Sequence, residues 1–282
     1  MQDTDLKYEA QRQWEAAAPG WAKWESLFSE GLIEVTDAML DMAGVEAGRL
    51  VIDLACGAGS QTIRAARRVG PSGRVVASDI SPTMLEHVQV SAHRAGLGNI
   101  ETLASAAEDL ALTPNKFDAA ICRLGLMLIA APGQALDAVR TALKPKARFA
   151  ALVFTTPAKN RFMAEPMRIL LQHAGKPPPA PRQPGIFALG GASILQKLFE
   201  ARGFEDLQTQ TVRAPLRLAS TADALDMMRQ AFGAYRAVIS ELDQAAQAAA
   251  WEEVGEYMTH FETETGFETE LEFIIGSGAK AR

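Results

Sequence analysis

The sequence predicts an α/β protein with a parallel central sheet. From Gly44 onward, short apolar runs alternate with amphipathic stretches, a pattern typical of repeated strand–helix–strand units. The chain has 282 residues, 48% of them apolar, which is enough to bury a sizeable core. Its longest uncharged apolar run, residues 124–131, is far shorter than the roughly 20 residues of a membrane-spanning helix. We therefore expect a soluble protein that does not insert into membranes.

The first 45 residues are predicted to be helical. Apolar residues recur at helical spacing, and the three predicted helices are residues 8–17, 21–28 and 32–42. Pro19, Gly20 and Gly31 are expected to separate them. We interpret residues 1–45 as a cover over the sheet. The extreme N-terminus lacks the pattern of a signal peptide, so we expect a cytoplasmic protein.

The alternating pattern that follows predicts most of the sheet. The five strands expected in this part are residues 49–54, 74–79, 99–104, 117–122 and 148–154. Helices are expected between them. Residues 82–94, for example, begin with a proline and place Met84, Leu85 and Val88 on one helix face.

The C-terminal part interrupts this alternation. We predict a helix over residues 159–173, and then an extended segment over residues 176–185, where five prolines exclude a helix or a central strand. A helix ending at Gly203, strands over residues 204–212 and 270–275, and helical structure over residues 221–261 complete the chain. The expected organisation is a core of residues 46–156, 191–218 and 263–282, a lid or connector of residues 157–190, and a helical insertion of residues 219–262.

Composition and net charge argue against several classes of binding partner and site. The formal net charge of −6 disfavours a nucleic-acid binder, which needs a basic face for phosphate contacts. Cys56 and Cys122 are the two cysteines, and the four histidines match no metal-binding spacing, so we expect neither a disulfide framework nor a metal site. The expected partner is a small molecule, and homodimer formation is left open.

A glycine turn after the first predicted strand carries the functional signal. Gly57 and Gly59 let the backbone approach a ligand closely where the strand ends. A dinucleotide site would need a third glycine where Thr62 stands, and Asp53, before the turn, would repel a pyrophosphate. Asp79 ends the next predicted strand, a position from which a carboxylate can accept hydrogen bonds from both ribose hydroxyls.

Four segments together resemble the motifs of class I S-adenosylmethionine-dependent methyltransferases. They are residues 53–59 (DLACGAG), 79–85 (DISPTML), 107–110 (AEDL) and 117–127 (FDAAICRLGLM). The resemblance covers residues 50–154 and is closest to the small-molecule group around the ubiquinone and menaquinone C-methyltransferases. The chain departs from the family at Ala106, where relatives often carry an acid, and at residues 144–147, where they usually have Pro-Gly-Gly.

The resemblance implies the fold, the cofactor and the reaction. It implies a doubly wound, Rossmann-like sheet of seven strands in the order 3-2-1-4-5-7-6. S-adenosyl-L-methionine would be the cofactor and S-adenosyl-L-homocysteine the product. The acceptor would be a small aromatic or apolar molecule methylated on O, N or C. Two alternatives stay open: a non-catalytic methyltransferase-like subunit or regulator, and an NAD-dependent oxidoreductase.

The resemblance also implies site residues. Those expected to bind the cofactor are Asp53, Cys56, Gly57, Gly59, Asp79, Ile80, Met84, Ala107, Glu108, Cys122 and Arg123. The catalytic candidates are His173, a base whose ordinary pKa lies near neutrality, and Arg123, at the end of the fourth strand. The substrate candidates are Trp21 and Trp24 as an aromatic lid, Met127 and His173; core packing explains the tryptophans equally well.

Overall fold

A computed structural model describes residues 3–178, 183–191 and 193–282. Its strands are β1 (Leu50–Leu54), β2 (Arg74–Asp79), β3 (Ile100–Ala104), β4 (Phe117–Arg123), β5 (Leu143–Phe154), β6 (Phe204–Leu218), β7 (Glu262–Thr263) and β8 (Gly266–Lys280). Its α-helices are α1 (Asp3–Lys23), α2 (Glu25–Gly31), α3 (Ile33–Ala43), α4 (Ser60–Val69), α5 (Pro82–Arg94), α6 (Pro132–Ala142), α7 (Arg161–His173), α8 (Ile194–Ala201), α9 (Thr221–Ala231), α10 (Gly233–Ile239) and α11 (Gln244–Met258).

The strands form one sheet in the order β3-β2-β1-β4-β5-β8-β6, with the short β7 paired to β8. β1 to β5 run parallel, while β8 lies antiparallel between β5 and β6. The predicted α/β fold class and strand order are confirmed, with β8 as the seventh long strand. Parallel strands end at the same edge, so the segments that follow β1, β2 and β4 meet there.

The prediction of a break at Pro19 and Gly20 is wrong, because α1 continues through both residues. Gly20 lies against the end of α9, where an added Cβ would come within 2.1 Å of the Gln230 carbonyl oxygen. The glycine therefore serves close helix packing and does not end the helix.

The predicted helical structure over residues 221–261 consists of three α-helices, which are separated near Phe232 and over residues 240–243.

Both C-terminal strands are longer than predicted. β6 and β8 pair with each other from Phe204 to Leu218, beyond the apolar residues that indicate them in the sequence. Backbone hydrogen bonds to a neighbouring strand sustain a polar edge strand that hydrophobic periodicity does not reveal. β5 also starts early, at Leu143, and Lys146 adopts a left-handed conformation (φ +66°) where the β4–β5 register shifts, between the pairs Phe117–Leu143 and Ala119–Arg148.

Helices outside the alternating strand–helix units pack on one another and on α5. α1 packs on α5 and α9, and α7 packs on α10 and α11. Residues 179–182 of the predicted proline-rich segment lie outside the described residues. Among the helices that the structure does describe, none combines the length and the apolar character needed to cross a membrane.

Asn160 joins the start of α7 to β8. Its amide nitrogen donates to Thr155 Oγ1 (3.1 Å) and to the carbonyl oxygens of Glu272 (3.0 Å) and Thr156 (3.3 Å). Its amide oxygen accepts the backbone N–H of Glu272 at 2.9 Å. The side chain is buried, so these groups have no water to replace a lost partner.

We expect Asn160→Ala to lower the free energy of unfolding by about 3 kcal/mol, because it leaves buried backbone groups without partners. Urea unfolding checks this. Gln89→Ala, which removes an exposed amide that donates to Thr102, is the control and should change stability by less than about 0.5 kcal/mol. Equal losses in the two variants would contradict the assigned role of Asn160.

Candidate active site

A cavity of about 330 Å³ lies where β1, β2 and β4 end. The loop after β1 forms its floor, Asp79 closes one side and Arg123 the other. α1 and α2 cover it, and Trp14 and Trp21 of α1 pack with the loop residue Ala58 and with Met84 of α5. The cavity is thus built from the segments that the parallel sheet brings to one edge.

Three of the five residues in the loop from Ala55 to Gly59 have a backbone conformation that L-residues rarely adopt. Ala55 (φ +51°), Gly57 (φ +55°) and Gly59 (φ +94°) all have positive φ, and the Gly59 N–H donates to the Cys56 carbonyl (3.1 Å). At Gly59 an added Cβ would lie 2.7 Å from a methyl carbon of Val88. An L-residue with positive φ, such as Ala55, is uncommon and is found preferentially at functional sites.

The Asp79 carboxylate is fixed by backbone donors. Oδ2 accepts the N–H of Gly57 and Oδ1 accepts the N–H of Ser81, both at 2.9 Å. Burial raises the pKa of Asp79, and these backbone hydrogen bonds act in the opposite direction. Asp79 lines the cavity, so it presents an oriented acceptor to a ligand.

Asp53 does not line the cavity; it lies fully buried behind the loop. Its Oδ2 accepts the hydroxyl of Thr62 at 2.6 Å, and its Oδ1 accepts the amide N–H of Gln61 at 3.4 Å. The same Gln61 amide donates to the Cys56 carbonyl at 2.8 Å. Asp53 thus links the first turn of α4 to the loop and positions the residues that do reach the cavity.

Burial also raises the pKa of Asp53 to about 7 from its ordinary 3.8, although hydrogen bonds from Thr62 and Gln61 lower it. The folded protein therefore holds this proton more tightly than the unfolded chain does. The stability that results is fully present below about pH 4 and is lost as the pH rises towards 7.

We expect Asp53→Asn to remove this pH dependence. Between about pH 5 and pH 7 the wild-type free energy of unfolding should fall by on the order of 2 kcal/mol more than that of the variant. Urea unfolding at a series of pH values measures both. Parallel pH curves would contradict the elevated pKa.

Arg123 at the end of β4 is a partly buried cation that lines the cavity. It donates to the hydroxyls of Thr36 (3.0 Å) and Ser60, and it forms no ion pair with any residue that the structure describes. Burial lowers the pKa of Arg123 to about 10, while Asp53 and Glu25 raise it. Glu25, the first residue of α2, lines the same cavity.

A second cavity, of about 1270 Å³, adjoins the first. Trp14, Trp21, Phe28, Leu32, Leu124 and Leu128 line both. The walls of the second cavity are mainly apolar and come from α1, α2, α7, α10 and residues 183–188. No aspartate, glutamate or histidine is among its described lining residues, and the Tyr235 hydroxyl there donates to the Met163 carbonyl (2.7 Å).

Sequence comparison finds a similarity to methyltransferases over part of the chain. A family described as "Methyltransferase domain" matches residues 46–168. The ubiquinone/menaquinone biosynthesis C-methyltransferase of Hahella chejuensis is 38% identical over 119 residues, which are 42% of this chain and 48% of that protein. The chain thus matches about half the length of this curated relative. Residues 46–168 are therefore similar to a methyltransferase domain.

Solved structures agree on the fold. A crystal structure of a putative methyltransferase from Bacillus halodurans matches 88% of this chain and 99% of its own, with a TM-score of 0.58 at 17% identity. Phosphoethanolamine N-methyltransferase 2 of Haemonchus contortus, in complex with S-adenosyl-L-methionine, matches 93% of this chain and 57% of its own, with a TM-score of 0.56 at 14% identity. At these identities the likeness concerns the fold alone.

The fold brings most of the predicted cofactor residues to the first cavity. Those that line it are Cys56, Gly57, Gly59, Asp79, Ile80, Met84, Ala107, Glu108 and Arg123. Cys122, like Asp53, lies behind the wall. Burial raises the pKa of Cys56 well above its ordinary range and that of Cys122 to about 12, so neither thiol is an activated nucleophile.

Two of the four predicted substrate residues line a cavity and two do not. Trp21 lines both cavities and Met127 lines the second. Trp24 lines neither, because its indole N–H donates to the side-chain oxygen of Gln230 (3.1 Å) in α9. His173 also lies outside both cavities, where its Nε2 is 2.7 Å from Glu253 Oε2 on α11. The structure therefore places His173 in neither cavity.

The sequence reasoning missed the contacts that hold α1 over the site. Glu15 accepts the hydroxyl of Thr83, at the start of α5, and Lys7 pairs with Asp109 at 2.6 Å. It also missed Glu25. One signal was available, since Glu25 lies between Trp21 and Phe28 in a segment predicted to be helical and to cover the sheet.

Proposed function

We propose that this chain is an enzyme that transfers the methyl group of S-adenosyl-L-methionine to an apolar small molecule. The observation that carries the proposal is the pair of joined cavities. The first has the oriented Asp79 carboxylate and the glycine loop, and the second is larger and apolar. A methyl transfer needs two ligands that meet end to end, and Trp21, Phe28 and Leu124 surround the place where the cavities join.

The residues of the first cavity suit the cofactor. Asp79 can accept hydrogen bonds from the ribose hydroxyls, and the loop from Ala55 to Gly59 leaves the backbone accessible. Ala107 and Glu108 line the cavity next to Asp79 and are proposed to contact the adenine, and Ile80 and Met84 to pack on the nucleoside. When bound, the sulfonium of this cofactor supplies an already activated methyl group.

The protein's own contribution would be alignment and exclusion of water. The covering helices α1 and α2 close the first cavity, and the apolar walls of the second hold an acceptor against its opening. His173 lines neither cavity and its Nε2 is 2.7 Å from Glu253 Oε2, so we do not assign it the role of general base. The acceptor atom, O, N or C, is left open by the proposal.

The alternatives receive less support. In a dinucleotide site the third glycine of the motif would let the helix pack closely on the strand. Here that position is Thr62, whose hydroxyl donates a hydrogen bond to the buried Asp53. A non-catalytic regulator would not need a polar cavity joined to an apolar one.

Isothermal titration calorimetry of the pure protein with S-adenosyl-L-homocysteine and with NAD tests the proposal. We expect micromolar or tighter binding of S-adenosyl-L-homocysteine and no measurable heat with NAD. Binding of NAD alone would overturn the assignment, and binding of neither ligand would favour a non-catalytic protein.

A further inference from the structure

Two opposite charges face the first cavity without meeting each other. The Arg123 guanidinium binds only hydroxyl groups, those of Thr36 and Ser60, among the described residues. The Glu25 carboxylate has neither a hydrogen bond nor an ion pair with any residue that the structure describes. Each nevertheless lies close enough to shift the pKa of the other.

This arrangement is costly unless a ligand completes it. Burial raises the pKa of Glu25 and lowers that of Arg123, because both charged forms lose solvation. Both side chains are partly buried, and a charge that is withdrawn from water is ordinarily paired or hydrogen-bonded. Glu25 has a shortfall of donors and Arg123 a shortfall of acceptors, so a ligand carrying both an ammonium and a carboxylate would relieve both.

The position of the two residues agrees with such a ligand. Asp79 ends β2 and Arg123 ends β4, on opposite sides of β1. Neighbouring strands lie about 4.8 Å apart, so these two ends are roughly 10 Å apart. That separation suits a nucleoside at Asp79 joined to an amino acid that reaches Arg123.

We propose that Glu25 binds the α-ammonium group, and Arg123 the α-carboxylate, of an amino acid attached to a nucleoside in this cavity. The inference rests on the proposed function for the identity of the ligand. It adds a role for the covering helices, because Glu25 belongs to α2 and not to the sheet. α2 would then recognise the bound amino acid directly, and the cover would be part of the binding site.

Calorimetry with four ligands separates the two charges. S-adenosyl-L-homocysteine carries both groups, its decarboxylated analogue only the amine, its deaminated analogue only the carboxylate, and methylthioadenosine neither. We expect Glu25→Gln to weaken the two amine-bearing ligands at least about tenfold, and to change the other two less than about threefold. We expect Arg123→Met to weaken the two carboxylate-bearing ligands by a similar factor.

Glu30→Gln is the matched control, because Glu30 lies on the same helix but is exposed and does not line the cavity. It should bind all four ligands as the wild type does. Thermal unfolding of each variant shows whether it is folded. If Arg123→Met is unfolded, Glu25→Gln still tests the ammonium contact, and Arg123→Lys tests the carboxylate contact.

The outcomes distinguish the inference from the function. If the wild type binds S-adenosyl-L-homocysteine and Glu25→Gln binds it equally well, the inference is overturned and the proposed function stands. If Glu25→Gln weakens methylthioadenosine as much as S-adenosyl-L-homocysteine, Glu25 does not recognise the amino-acid group. If the wild type binds none of the four ligands, the proposed function fails, and the inference fails with it.

Discussion

Asp79→Asn is expected to weaken the binding of S-adenosyl-L-homocysteine about 100-fold. The carboxylate uses one oxygen for the Gly57 N–H and the other for the Ser81 N–H. Both oxygens retain further lone pairs that can accept the hydroxyls of a ribose. An asparagine replaces one of the two acceptors with an NH2 donor, which would face either a backbone N–H or the ligand.

The magnitude follows from the charge. Hydrogen bonds to an ionised group contribute about 1.5–3 kcal/mol each, and each 1.4 kcal/mol is a factor of ten in affinity. Losing one charged acceptor and weakening its neighbour therefore gives a loss of about two orders of magnitude. The Gly57 N–H would also lose a charged acceptor. Because this hydrogen bond joins Asp79 to the loop after β1, the substitution would affect the loop as well as the ribose contact.

Asp118→Asn is the control for this measurement. Asp118 lies at the opposite end of β4, where it accepts the Leu50 N–H (2.9 Å) and the Lys144 ammonium (2.6 Å). Like Asp79, it is a carboxylate that accepts a backbone N–H, but it is remote from the cavity. It should leave the affinity unchanged. Calorimetry in which Asp79→Asn binds as tightly as the wild type would remove Asp79 from the cofactor site.

The sequence predicted the parts of this site that depend on the backbone. Strand ends, the glycine turn and Asp79 follow one another along the chain, and a parallel sheet brings strand ends together whatever side chains surround them. Helix α5 was likewise predicted with its observed limits, from the proline that begins it and its apolar face, and the structure adds a cap at Ser81, whose side chain accepts the Met84 N–H.

Side-chain direction was predicted less well, since it depends on packing between distant segments. Asp53 faces Thr62 behind the loop and not the cavity, and Trp24 faces α9. His173 and Glu253 meet although they are far apart in sequence. The continuation of α1 through Pro19 has the same cause, because its contact with α9 is a tertiary interaction that no local pattern records.

Gly59→Ala is expected to destabilise the protein by about 3 kcal/mol and to lower its affinity for S-adenosyl-L-homocysteine. An L-residue held at the positive φ of Gly59 costs about 1–2 kcal/mol. In addition, the new methyl group would lie 2.7 Å from a side-chain carbon of the buried Val88 in α5. α5 and the loop would have to separate, and overpacking of this kind costs roughly 1–3 kcal/mol.

Gly57→Ala separates these two contributions. Gly57 also has a positive φ, but no atom lies within 4 Å of the position that its Cβ would occupy. It should therefore lose only the conformational part, about 1–2 kcal/mol, in urea unfolding. Equal losses for Gly57→Ala and Gly59→Ala would show that contact with Val88 contributes nothing.

A double-mutant cycle with Val88→Ala tests whether the additional destabilisation in Gly59→Ala comes from contact with Val88. Removing the Val88 methyl groups makes room for the alanine at position 59, so the double variant should be more stable than the sum of the single losses predicts, by about 1 kcal/mol or more. Additive losses would contradict the steric argument. Asp79 is the last residue of β2, Val88 lies in the helix that follows it, and the Gly57 N–H donates to Asp79. A glycine at position 59 therefore lets α5 approach the loop closely enough for the loop to orient the carboxylate that the ligand needs.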